Sequence, residues 1–154
     1  MSFIIPELEF ADVLITRNAK EEDNGSPGYW NHLAIYTPLG VIEAQMPPWN
    51  SIICTPLNEF FDRYPKLKVF RLKNIDGYQF TNEKDKVAKS AVGMIGKPYK
   101  WLASLFPRLK RNRGDNCVTL LRKVYLDGIN IDLGWKIPDD LVGDAKFEEV
   151  YSKN

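Results

Sequence analysis

Apolar positions follow Cys117 at offsets of three, four, seven and eight, at Leu120, Leu121, Val124 and Tyr125. That spacing is one buried face of an amphipathic helix, and Gly128 stands where a C-terminal stop is expected. Asp115 and Asn116 are good N-cap types, so Cys117 falls in the first turn and faces inward. Upstream the period changes to two. Ala11 to Thr16 reads as a short buried strand, and 18–28 as a polar loop rich in turn residues. In Asn31 to Thr37 the residues His32, Ala34 and Tyr36 share one face, and Leu33, Ile35 and Thr37 the other. Pro38-Leu39-Gly40 predicts a tight turn and Val41 to Ala44 the returning arm of a hairpin.

The rest of the chain alternates short elements of both kinds. Met46 to Ile53 reads as a loop with a Pro47-Pro48-Trp49 corner, although Cys54 lies in a strand-like apolar run. A short helix is expected from Pro56 to near Tyr64-Pro65, and a strand over Lys68 to Leu72. Thr81 or Asn82 is expected to cap a longer helix with apolar face Val87, Ala88, Ala91, Val92 and Ile95, stopped by Gly96 and Pro98. Ile137 to Leu141 predicts a single helical turn with proline at its first position, and Phe147 to Tyr151 a final strand. No repeat, low-complexity tract or linker interrupts the pattern. The expectation is one α+β domain over residues 1–154, an antiparallel sheet packed against helices with a cysteine at a helix N-terminus.

Composition narrows the classes. Hydrophobic residues at 44% and charged residues at 27% suit a soluble globular chain. A net charge of +1 indicates neither nucleic acid nor membrane as partner. The charge is unevenly placed, however: Lys97, Lys100, Arg108, Lys110, Arg111 and Arg113 occur with no acid between them, interleaved with Trp101, Leu105 and Phe106. Such a stretch could meet an anionic lipid surface, or it could be a solvated loop whose aromatics are buried. No nucleic-acid recognition motif accompanies it. Met1 to Phe10 lacks the basic and apolar regions of an export signal, and no apolar stretch approaches the ~18 residues of a spanning helix, so a cytoplasmic location is expected. Two cysteines and one histidine, widely separated, match no zinc-ligand spacing and no disulfide framework. Neither a metal nor a cofactor is expected, and no Gly-rich phosphate loop is present.

The hairpin supplies the candidate chemistry. Residues whose numbers sum to roughly 76 to 78 face each other across it, which sets Glu43 opposite Leu33 to Ile35 and His32 as a near or diagonal neighbour. A lone histidine or strand glutamate is ordinarily structural, and a helix cysteine is often a small buried hydrophobe. Their joint occurrence is what points to a site. A first-turn thiolate is favoured by the helix N–H groups, an imidazole can take its proton, and a carboxylate fixes the tautomer.

Asp12 to Arg17, Asn31 to Tyr36, Val41 to Ala44, Gly96-Lys97-Pro98-Tyr99 and Asn116-Cys117 ahead of a helix, taken in that order, resemble the circularly permuted papain-fold hydrolases. These are the YiiX-like relatives of NlpC-type cell-wall peptidases and, more distantly, of lecithin:retinol acyltransferase. The resemblance runs from about Phe10 to Leu141 and implies Cys117 as nucleophile, His32 as base and Glu43 as the group that orients the imidazole. It departs at Asn116 and Val118, where relatives commonly carry an aromatic residue and a serine. The activity implied is cleavage of an amide, in a peptide or an acylated amine, through a thioacyl enzyme. The alternatives are a lipid-directed thiol acyltransferase or thioesterase, and a binding domain of the same fold without activity. The residues do not specify an oligomeric state.

Overall fold

A single sheet of six strands, ordered β4-β3-β2-β1-β5-β6 and antiparallel at every pairing, carries the helices of the computed structural model. The structure describes residues 4–17, 28–45, 51–73, 80–98 and 115–153. In chain order the elements are β1 (Val13–Arg17), β2 (His32–Thr37), β3 (Gly40–Gln45), β4 (Ser51–Thr55), α1 (Leu57–Arg63), β5 (Lys66–Leu72), α2 (Phe80–Val92), α3 (Asp115–Ile129), a 3-10 turn (Pro138–Leu141) and β6 (Phe147–Lys153). The architecture is α+β, as the alternating pattern predicts.

The period of two in β1, β2 and β3 sorts their side chains onto the two faces of the sheet. Val13, Ile15, Leu33, Ile35 and Ile42 enter the larger core with α2 and α3, where Val87, Ala91, Leu120, Leu121 and Val124 are buried. Leu14, Ala34 and Val41 point the other way and pack with Phe60 and Phe61 of α1, with Tyr64 just after it, and with Leu67 and Val69 of β5. Both faces are thus covered over the central strands, and fully burying a Leu, Ile or Phe side chain is worth about 1.5–3 kcal/mol.

Several sequence expectations are corrected. Ser51–Thr55 is the edge strand β4, paired with β3 from Val41↔Thr55 to Gln45↔Ser51, not a loop reaching Ile53. Helix α2 begins at Phe80, so Thr81 and Asn82 lie inside it, and Ile95 is beyond its end and 39% exposed. Helix α3 continues through Gly128 to Ile129. Gly128 is there because α2 lies against it: a Cβ would stand 2.8 Å from the Val87 Cα and N. The left-handed residue that follows the helix is Asn130, at φ 58°. The hairpin turn is the two-residue Pro38-Leu39, with Thr37 paired to Gly40. The polar loop over 18–27, the Pro47-Pro48-Trp49 corner and the basic stretch beyond Pro98 lie outside the described residues.

Candidate active site

His32 opens β2 beside Thr16 of β1, and the hairpin register, Ile35↔Ile42 and Tyr36↔Val41, carries Glu43 to the position beside Ala34. Both side chains therefore rise from the same face, two residues apart along it, as the expected register requires. The His32 Nε2 lies 2.8 Å from Glu43 Oε1, and since an ionised carboxylate only accepts, the ring nitrogen is the donor. The same ring is hydrogen-bonded to Cys117. The three residues picked out in the sequence thus form one connected row.

Cys117 reaches this point because α3 begins at Asp115, which makes the cysteine its third residue. The N–H groups of a first turn point toward the helix N-terminus and are the donors a helix offers to an anion. The cysteine is 4% exposed and belongs to the larger core, whereas His32 stacks on α1, its ring 5.8 Å from Tyr64 and 6.4 Å from Phe60, tilted 28° and 30°. The thiol and imidazole meet where the two apolar clusters meet.

Glu43 is fully buried, and a carboxylate there is costly unless every lone pair is engaged. Here Oε1 accepts from His32 and from Gln45 Nε2 at 2.5 Å, while Oε2 accepts from Thr55 Oγ1 at 2.5 Å and from Arg63 Nη1 at 3.2 Å. Burial pushes its pKa up, but the bonds and charges of His32, Thr55 and Arg63 outweigh that and hold it below the usual carboxylate range. For His32 burial favours the neutral ring. Tyr64, Cys117 and Glu43 override it and raise its pKa well above the ordinary imidazole value. A positively charged ring beside the Cys117 sulfur and the ionised Glu43 carboxylate is the electrostatic outcome.

Sequence reasoning misses Gln45, Thr55, Arg63 and the aromatic wall. Gln45 is within its reach, because a residue two beyond Glu43 shares its face. Thr55 requires recognising β4, and Arg63 and Tyr64 come from a helix whose placement no local pattern gives. Cys54 stands apart: its Sγ donates to the Leu39 carbonyl at 3.3 Å, and burial followed by the nearby Glu43 charge pushes its thiol up.

No family model matches the chain, and no curated protein matches it in sequence. Among solved structures its fold is similar to that of the metalloprotein yiiX from Escherichia coli O157:H7, at a TM-score of 0.66 and 14% identity, covering 94% of this chain and 97% of that one. At that identity the likeness is one of fold. The residues here do not fit a resident metal: His32 is engaged by Glu43 through Nε2 and is also hydrogen-bonded to Cys117, and Glu43 is filled by four donors. Among the described residues no group of three His, Cys, Asp or Glu side chains converges elsewhere. No described helix is long and apolar enough to cross a membrane.

Proposed function

We propose that the chain is a permuted papain-like thiol hydrolase that cleaves an amide in a peptide or an acylated amine. The observation that carries this reading is the hydrogen-bonded row from Cys117 through His32 to Glu43, built around the chain's only histidine. The histidine strand precedes the cysteine helix, which is the chain order of the permuted group.

In the proposed reaction His32 takes the Cys117 proton and the sulfur attacks the carbonyl carbon, forming the C–S bond and a tetrahedral oxyanion. First-turn N–H groups of α3 stabilise that charge, a contribution on the order of 3 kcal/mol per donor. His32 then gives its proton to the leaving nitrogen as the C–N bond breaks. A water molecule, deprotonated by the same ring, attacks the thioester carbonyl, the C–S bond breaks, and the carboxylic acid leaves. Glu43 stays ionised throughout and keeps the ring oriented.

Differential alkylation tests this without a known substrate. Cys54 is the more exposed thiol, so access alone favours its labelling. Faster reaction of Cys117 with iodoacetamide at neutral pH is expected, against the order that exposure alone would give. Cys117→Ala should abolish turnover with the fold intact, and His32→Ala should be nearly as damaging. The double variant should be little worse than either single one, because the two act as a unit. Labelling of Cys54 at an equal or greater rate would defeat the reading.

A further inference from the structure

We propose that Arg63 is a positioning residue of this site, balancing the buried Glu43 carboxylate and fixing which of its oxygens faces His32. The inference rests on the hydrolase reading above. Its ground is the pattern of donors around Glu43. Gln45 and Thr55 are neutral, and the Thr55 hydroxyl can accept as well as donate, so neither prevents a proton from settling on Oε2. Arg63 has only donors and stays charged. With its Nη1 on Oε2, a protonated Oε2 would set O–H against N–H, so Oε2 remains an acceptor and Oε1 stays with the imidazole.

The geometry supports a role beyond that of a cation at a helix end. Arg63 closes α1, where the helix dipole favours a positive charge, but Nη1 reaches across to a residue of β3 that is 0% exposed. The guanidinium also lies over the Tyr64 ring, 5.8 Å from its centroid, and that ring stacks on His32. One side chain thereby supports both Glu43 and the wall behind the imidazole. When the proton passes to His32 the row reads thiolate, imidazolium, carboxylate, guanidinium. Alternation of this kind leaves no net charge buried, whereas the first three members alone would carry a surplus negative charge.

The titratable and charged groups facing the carboxylate are His32 on β2, Arg63 on α1 and Cys54 on β4, with Cys117 on α3 and Tyr64 just after α1 acting through His32. Removing Arg63 therefore has two consequences. Glu43 takes a proton at a higher pH, so the acid limb of Cys117 alkylation moves up by about one pH unit. His32, left as the carboxylate's principal cation, keeps its proton to a higher pH than in the wild type. Glu43→Gln moves the same limb up but lowers the His32 titration, so the direction of the His32 shift separates loss of Arg63 from loss of the carboxylate.

The experiment is the alkylation profile of Cys117 together with the NMR titration of the imidazole, which needs no assignment in a chain with one histidine. Wild type, Arg63→Met and Arg63→Lys are compared, with thermal melts as the control for folding. Upward shifts of both the limb and the His32 titration in Arg63→Met, partly restored in Arg63→Lys, support the proposal. A folded Arg63→Met in which neither moves overturns it. Should Arg63→Met unfold, Arg63→Gln is expected to show the same two upward shifts, and their absence in that variant overturns the proposal equally. If wild-type Cys117 labels no faster than Cys54, the nucleophile reading fails, and the His32 titration still decides whether Arg63 governs the pair.

Discussion

His32 has two tasks, holding a thiol and a carboxylate, and its proton is the quantity both depend on. Because its folded pKa is raised, its contribution to stability is fully present below the ordinary imidazole value of about 6.5 and is lost as pH rises through the raised folded value. Glu43 has the opposite sign. Its depressed pKa contributes above the ordinary carboxylate value of about 4.3, and that contribution is lost as pH falls through the folded value. The stabilisation from the pair is therefore complete between about 4.3 and 6.5 and declines on either side. In Glu43→Gln the ring loses its ionised partner, so melting temperatures of the variant should fall less than those of the wild type on the alkaline side of that window. The acid limb of Cys117 alkylation should also move to higher pH, with a smaller loss of rate than in Cys117→Ala, since the amide oxygen still accepts from Nε2. Parallel melting profiles together with an unshifted limb would leave Glu43 as an ordinary buried carboxylate.

Among the elements, the packing of helix α2 on helix α3 includes a contact that sequence alone misreads. Gly128 suits a helix stop by composition, yet it lies inside α3 against the Val87 backbone of α2. Gly128→Ala tests this through competing terms. Alanine improves helix propensity by about 1 kcal/mol, but its Cβ would meet backbone atoms at 2.8 Å, and overpacking of that kind costs about 1–3 kcal/mol. Backbone cannot step aside as a flexible side chain can, so a net loss is expected, seen as a lower denaturant midpoint with an unchanged slope. Stabilisation would show that the helices separate freely. The same contrast explains what is legible in the sequence. The β2–β3 hairpin is readable because alternation and a Pro-Leu turn fix register locally, and the His32–Glu43 pairing follows from register alone. The inward face of α3 is readable because Cys117, Leu120, Leu121, Val124 and Tyr125 repeat at helical spacing and all are buried. Strand β4 is hidden because a five-residue edge strand with three half-buried positions has little alternation to show. Ile95 is misplaced on the apolar face of α2 because periodicity continues past the point where the chain leaves the helix.

On the scale of the whole molecule, the site depends on α1 lying across the sheet between distant strands. At one end Arg63 reaches Glu43 on β3. At the same end, Lys153 of the edge strand β6 donates from Nζ to the carbonyls of Phe61 and Tyr64, at 2.5 and 3.0 Å. Those carbonyls belong to the last turn of α1 and the residue after it, where a cation satisfies acceptors the helix itself cannot. The smaller core under α1 is formed by few side chains, so the ends of this short helix matter more than they would in α2 or α3. Lys153→Met keeps the stem and removes the donor. Hydrogen bonds to a charged group contribute about 1.5–3 kcal/mol, and partial exposure of the lysine allows water to replace some of that, so a loss of about 1 kcal/mol is expected. The loss should be local. Amide hydrogen exchange in α1 should quicken while that of α2 and α3 stays unchanged, and the single imidazole resonance should broaden as Tyr64 ceases to hold the ring in one setting. Uniform acceleration across all three helices would mean instead that Lys153 supports the sheet as a whole. Unchanged exchange in α1 would mean that the Phe60, Phe61 and Tyr64 packing holds the helix without the lysine. Only the local pattern makes the far edge of the sheet part of what aligns His32 with Cys117.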